Sequence, residues 1–299
     1  SLATNWAPDR PVPELTARWA QPPSVFVDVA GQRAHVRDEG PRDDPTPIVL
    51  LHGTADSLHT WSGWTEVLAR DRRVIRVDLP GFGLTGPAPD GDYRVERYVQ
   101  FVGALLDKLD VQRCVLGGNS FGGWVAWETA LAEPGRVRAL ILVDAAGYPI
   151  ESQSVPIGFR IARVPGLNRA MRSILPRSLI ESSVRNTYGD PSRVTPELVD
   201  RYYELTLREG NRTALAQRFA AGRWAADPAR VREVRQPTLI LWGGRDGLIP
   251  LRYGEQFNRD IAGSRLVVFP ELGHVPQEED PAATVAAVSQ FLREPGTGL

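Results

Sequence analysis

The chain has 299 residues, 42% hydrophobic and 24% charged, an ordinary balance for a folded globule. Its 35 basic residues nearly cancel 36 acidic ones, and a net charge of −1 disfavours nucleic acid as a partner. No apolar run approaches the ~18 residues of a membrane-spanning helix, and the lone Cys114 excludes an intrachain disulfide or a paired-cysteine metal site.

Residues 1–23 hold five prolines and read as an N-terminal arm. The chain opens on Ser1 and not on Met. The expected compartment is therefore the cytoplasm, or an exported or membrane-anchored setting if an N-terminal segment has been removed. Val25–Val29 and Ala34–Arg37 predict two strands around a Gly31-Gln32 turn. Pro47–Leu51, Arg73–Val77, Arg113–Leu116 and Val137–Val143 are short apolar runs, suited to strands buried on both faces. Between them Trp61–Arg70, Tyr93–Asp110 and Phe121–Ala132 predict helices; Tyr98, Val102, Leu105 and Leu109 share one face of the second. Thr238–Trp242 and Arg265–Phe269 predict the last strands, and Ala282–Leu292 the closing helix. Alternating strands and helices predict an α/β fold with a mostly parallel sheet.

One connection is anomalous. No buried strand occurs from Asp144 to Gln236, whereas a crossover needs only about a dozen residues. Residues 147–235 therefore predict a helical cap inserted into a core of residues 24–146 and 236–299. Thr195-Pro196-Glu197 predicts a helix start, and Asn211 a cap for the next helix after Gly210. Residues 147–236 carry 15 arginines against nine acids. The expectation is a basic cap docked on an acidic base; a basic wall favouring anionic substrates is the alternative.

Gly118-Asn119-Ser120-Phe121-Gly122 is G-x-S-x-G directly between a strand and a helix. The sharp turn forces the serine into a strained conformation, and only small neighbours let the chain pass. Ser120 Oγ is then presented at a helix N-terminus, where free N–H groups favour developing negative charge. A nucleophilic serine needs a base and an orienting acid. The chain has four histidines, and His274 follows the last strand. His35 reads as a surface or interstrand residue, His52 as loop support, and His59 precedes the serine. Asp246 lies just past the Thr238–Trp242 strand, and carboxyl ends of strands are where such sheets bind ligands. Ser120, Asp246 and His274 are the candidate catalytic residues, with Asp144 a reserve acid. Oxyanion donors are expected at the N–H groups of Phe121 and Thr54, with Gly53 making the Thr54 turn possible. Asn119, Trp124, Ile157, Phe159, Trp224 and Val275 are further pocket candidates. Gly81-Phe-Gly83-Leu-Thr-Gly86 matches a dinucleotide motif, but Pro87 and Pro89 follow where a helix must begin. That loop is expected to wall the active site. No His/Asp/Glu cluster has metal spacing.

Leu51-His-Gly-Thr54, Asp78-Leu-Pro-Gly-Phe-Gly83, Gly118–Gly122, Trp242-Gly-Gly-Arg-Asp246 and Gly273-His274, in that order over residues 24–294, resemble the α/β-hydrolase fold family. The resemblance implies an eight-stranded, mostly parallel sheet with the cap after the sixth strand. Ser120 differs from the aspartate nucleophile of haloalkane dehalogenases and epoxide hydrolases. The Gly-Asn-Ser-Phe-Gly-Gly stretch resembles carbon–carbon hydrolases of ring-cleavage products. The chain departs from them at Val275, where they carry Trp, and at Thr54-Ala55-Asp56, where they carry a more glycine-rich turn. The expected function is thus a serine esterase acting on small-molecule esters of small to medium acids, requiring no cofactor. The alternatives are carbon–carbon hydrolysis of a dienoic acid, perhydrolase or haloperoxidase chemistry, and a non-enzymatic ligand receptor.

Overall fold

The computed structural model describes residues 2–222 and 224–299. Its strands are β1 (Val25–Val29), β2 (Gln32–Glu39), β3 (Ile48–Leu51), β4 (Val74–Val77), β5 (Cys114–Asn119), β6 (Val137–Val143), β7 (Thr238–Gly243) and β8 (Arg265–Phe269). They form one sheet in the order β1-β2-β4-β3-β5-β6-β7-β8. The β1–β2 and β2–β4 pairings are antiparallel, and every pairing from β4 to β8 is parallel. All residues of β3, β4, β5 and β7 are buried, as the continuous apolar runs require.

The helices are α1 (Val12–Trp19), α2 (Ser62–Leu68), α3 (Val95–Lys108), α4 (Phe121–Ala132), α5 (Ile157–Ala162), α6 (Leu167–Ala170), α7 (Arg177–Thr187), α8 (Pro196–Thr206), α9 (Asn211–Ala220), α10 (Leu251–Asp260), α11 (Pro276–Glu279) and α12 (Pro281–Arg293). Side chains alternate across the sheet. Val49, Leu51 and Leu116 pack with Phe101, Leu105, Trp127 and Phe257 from α3, α4 and α10. Ile48, Leu50, Val115 and Leu241 pack with Trp64 of α2 and Phe291 of α12 on the other face. No helix among the described residues is long and apolar enough to cross a membrane. Cys114 is buried in β5, and burial pushes its thiol up to about 12, so it is inert.

Helices α5–α9 follow β6, and α7, α8 and the residues flanking them build a small core of Leu175, Ile180, Val184, Tyr188, Val199 and Leu207, which Val275 joins. Thr195 Oγ1 accepts the Leu198 N–H and starts α8 as expected. The start of α9 differs. Gly210, at φ +85°, is the cap, whereas the Asn211 amide donates to the carbonyls of Gly83 and Leu205. The proline-rich arm also differs from the sequence reading, because it contains α1. Pro13 fits the first turn of that helix. Leu15 is buried against Leu84 and Leu205, and Arg10 and Arg18 both pair with Glu204 on α8.

The junction from β5 to α4 is Ser120, held at φ +57° and ψ −122°. A Cβ on Gly118 would lie 2.1 Å from the Gly122 carbonyl oxygen. One on Gly122 would lie 2.4 Å from the carbonyl oxygens of Leu51 and His52. Backbone cannot yield to a methyl at such distances, so Gly122→Ala should cost about 3 kcal/mol or more. Urea unfolding checks this, and a wild-type midpoint would contradict it.

Candidate active site

Ser120 precedes the first turn of α4, so the Phe121 N–H is one of the helix donors with no intrahelical acceptor. The turn after β3 comes alongside. A Cβ on Gly53 would lie 3.1 Å from Ser120 Cβ, so glycine is needed there for close approach. The left-handed residue of that turn is Ala55, at φ +62°, and not Gly53. Thr54 and Phe121 both border the cavity that holds Ser120.

His274 lies on the loop after β8, where its N–H donates to the Thr187 carbonyl at 2.7 Å. Its Nδ1 is 2.7 Å from Asp246 Oδ2. A carboxylate only accepts, so Nδ1 carries the proton and Nε2 is left as the basic nitrogen. Asp246 Oδ1 accepts the N–H groups of Leu248 and Ile249, which fixes the carboxylate. Asp144 stands behind it, fully buried, and accepts the Gly243 N–H. Burial first, and the neighbouring Asp246 charge second, push the Asp144 carboxyl well above its ordinary range. The acid hydrogen-bonded to His274 is Asp246 and not Asp144. Ligand atoms of Asp144, Asp246 and His274 lie within 4.8 Å of one another, a grouping compatible with a metal ion by distance alone.

Asn119 lines the cavity, but its side chain is committed to the protein. Nδ2 donates to the carbonyls of Val143 and His274, and Oδ1 accepts from Gln277. It ties the β5 turn to the His274 loop. Sequence reasoning missed Gln277, since nothing in its spacing points to Asn119.

The cavity measures about 700 Å³. Gly53, Thr54, Asn119, Ser120, Phe121, Trp124, His274 and Val275 form its floor, and Phe159, Ile180 and Trp224 are among the residues contributed by the helical segment. Ile157 is not part of it. It is 43% exposed, on the first turn of α5, while Pro156, Gly158 and Phe159 border the cavity. The Gly81–Gly86 loop also lies off the cavity wall. It folds around Asp78, which accepts the N–H groups of Leu58 and Leu84.

The other histidines are locked in place. His35 is buried, with Nδ1 2.7 Å from Asp78, and is not a surface residue. His52 Nδ1 bonds the Gly53 carbonyl and its Nε2 accepts the Leu79 N–H, so it supports the loop as expected. His59 bonds Ser57 and the Trp19 carbonyl, and burial lowers it to about 3.

A buried polar cluster borders the cavity. Arg201 pairs with Asp56 at 2.9 Å and with Glu278 at 2.5 Å, and Tyr202 donates to Asp56 at 3.0 Å. Burial raises Asp56 to about 6 although Arg201 opposes the shift. These partners are too far apart in sequence for any motif to join them.

An alpha/beta hydrolase fold family model matches residues 46–281. The chain is 32% identical to a 2-hydroxymuconate semialdehyde hydrolase of Pseudomonas sp. strain CF600, over 90% of this chain and 93% of the relative. It is 34% identical to a 2-hydroxy-6-oxo-2,4-heptadienoate hydrolase of Pseudomonas putida, over 82% and 88%. Among solved structures, a mutant of the meta-cleavage product hydrolase from Pseudomonas fluorescens IP01 superposes with a TM-score of 0.76 at 25% identity, covering 90% of this chain and 96% of that one. Sheet order, strand–serine–helix junction and family match agree: the chain belongs to the alpha/beta hydrolase fold family.

Proposed function

We propose that this protein hydrolyses a carbon–carbon bond in an unsaturated oxo acid, with Ser120 as nucleophile. The observation that carries the reading is likeness along nearly the whole chain to relatives named as hydrolases of 2-hydroxymuconate semialdehyde and of 2-hydroxy-6-oxo-2,4-heptadienoate. That likeness favours the carbon–carbon alternative over the esterase expectation, despite Val275 and the Thr54-Ala55-Asp56 turn.

Cleavage beside a ketone requires the departing carbon to leave as a stabilised carbanion. In a 2-hydroxy-6-oxo-dienoate, moving the enol proton to the carbon beside the 6-oxo group creates a 2-oxo acid conjugated to the departing carbon. Ser120 Oγ then adds to the 6-oxo carbonyl as its proton passes to His274 Nε2, and Asp246 holds the imidazolium. The N–H groups of Thr54 and Phe121 receive the oxyanion. The carbon–carbon bond breaks, its electron pair enters the conjugated acid as a dienolate, and the proton on His274 is passed to that dienolate. Water, deprotonated by His274, hydrolyses the acyl group left on Ser120. Residues 147–235 act as the cap, and Phe159 and Trp224 help to select the acyl end.

On this reading, kcat/KM for 2-hydroxy-6-oxo-2,4-heptadienoate should exceed that for p-nitrophenyl butyrate by about 100-fold or more. The reverse order would return the protein to the esterases. Ser120→Ala should abolish labelling by a fluorophosphonate and lower turnover by about 10⁴-fold or more. Undiminished labelling of that variant would place the nucleophile elsewhere. Asp246→Asn should cost about 10⁴-fold in kcat, as for the orienting aspartate of serine proteases, and Asp144→Asn far less. Steady-state kinetics of both variants check this, and the opposite order would give the orienting role to Asp144.

A further inference from the structure

Residues 152–180 carry five arginines and no acid. Arg177 pairs with Asp200, but Arg160, Arg169 and Arg172 are exposed and form no ion pair with a described residue. Exposed apolar side chains stand among them. Ile157 begins α5, Val164 lies in the turn between α5 and α6, and Leu167 begins α6. They are 43%, 43% and 52% exposed. Trp6, 62% exposed, is held beside the same segment. Its backbone pairs with that of Ile174, and the Ala7 N–H donates to the Ser173 carbonyl at 2.9 Å. Four of the seven exposed large apolar side chains among the described residues therefore fall on this segment or pair with it. Single apolar residues scattered over a surface are ordinary, whereas a group of them among unpaired cations marks an interaction site.

The segment has two sides. Phe159, Ala162, Asn168 and Met171 border the Ser120 cavity, whereas Arg160, Val164, Leu167, Arg169 and Arg172 do not. The inner side is thus a wall of the cavity, and the outer side presents cations and hydrocarbon to solvent. An apolar side chain gains from leaving water, and an unpaired guanidinium gains from an anion. A nucleic acid meets only the second need, since its backbone offers phosphate without hydrocarbon. A second copy of the same face would set like charges together. An anionic lipid surface meets both needs. Arginines rest at its headgroups, isoleucine, valine and leucine reach the acyl boundary, and tryptophan is favoured at that level.

We propose that the outer side of residues 157–172 is a peripheral docking surface for an anionic lipid bilayer, which sets a wall of the Ser120 cavity against the membrane. No described helix is long and apolar enough to span, so attachment is superficial and reversible. Charge and hydrocarbon act together, because either signal alone holds a protein only weakly at a bilayer. Each arginine near the headgroups is worth about 5-fold in binding. The inference does not depend on which bond Ser120 breaks.

The test is co-sedimentation of the full chain with vesicles of phosphatidylcholine alone and of phosphatidylcholine with phosphatidylglycerol in equal parts, at low and high salt. Wild type should bind the mixed vesicles about 10-fold or more tightly than the neutral ones, and salt should weaken that binding. R160Q/R169Q/R172Q should lower it on the order of 100-fold. I157S/V164S/L167S keeps every charge and should lower it by about 10-fold or more. The side chains changed are exposed, so both variants should melt with wild type. Equal binding of wild type to the two vesicles, or binding to neither, would overturn the proposal without recourse to a variant. Undiminished binding by the serine variant, or tighter binding of wild type to a DNA duplex than to the mixed vesicles, would make the face a receptor for polyanions instead. A dimer in sedimentation that either variant abolishes would make it a contact between copies of this chain. Each of these last results also overturns the proposal.

Discussion

The backbone of Ser120 is the constraint on which the site depends. A left-handed φ on a residue with a side chain costs about 1–3 kcal/mol. It persists because the parallel sheet grips both sides of the turn. Leu51 of β3 is in register with Gly118 of β5, and α4 then crosses so near β3 that Gly122 faces the carbonyls of Leu51 and His52. The same crowding brings Gly53 and Thr54 beside Ser120. One strained residue thus positions the hydroxyl, the Phe121 N–H and the neighbouring turn together.

The remaining groups come from the carboxyl ends of β7 and β8, and the electrostatics grade them. Burial next to Asp246 pushes the Asp144 carboxyl up, and Asp246 is the acid that touches His274. Several charges of the helical segment are paired at its seams. Glu204 meets Arg10 and Arg18 of the arm, and Arg201 meets Asp56 of the core and Glu278 of α11. Docking therefore accounts for part of the basic surplus, through arginines such as Arg201 and Arg212 that meet acids outside the segment.

The eight strands and the candidate catalytic trio were legible because parallel strands are apolar throughout and their ends carry short, chemically distinctive turns. Helix α1 was hidden because prolines mark a helix start as readily as a loop. Ile157 was misplaced because α5 is short, and hydrophobicity alone does not say which of its residues turns inward. The Gly81–Gly86 loop read as a cavity wall from its glycines. Those glycines instead wrap the buried Asp78, and a Cβ on Gly83 would lie 2.2 Å from that carboxyl group. Gln277 and the Asp56–Arg201–Glu278 cluster had no local signal. Each acquires meaning only from a partner, once distant segments are packed together.

The central claim is that a carbon–carbon bond is broken by acyl transfer to Ser120. The most direct measurement is acid quenching during turnover of 2-hydroxy-6-oxo-2,4-heptadienoate, followed by intact-protein and peptide mass spectrometry. The account predicts an acetyl adduct confined to the peptide containing Ser120 and lost on longer incubation. A burst of dienoate product with no adduct, or an adduct on another residue, would contradict it.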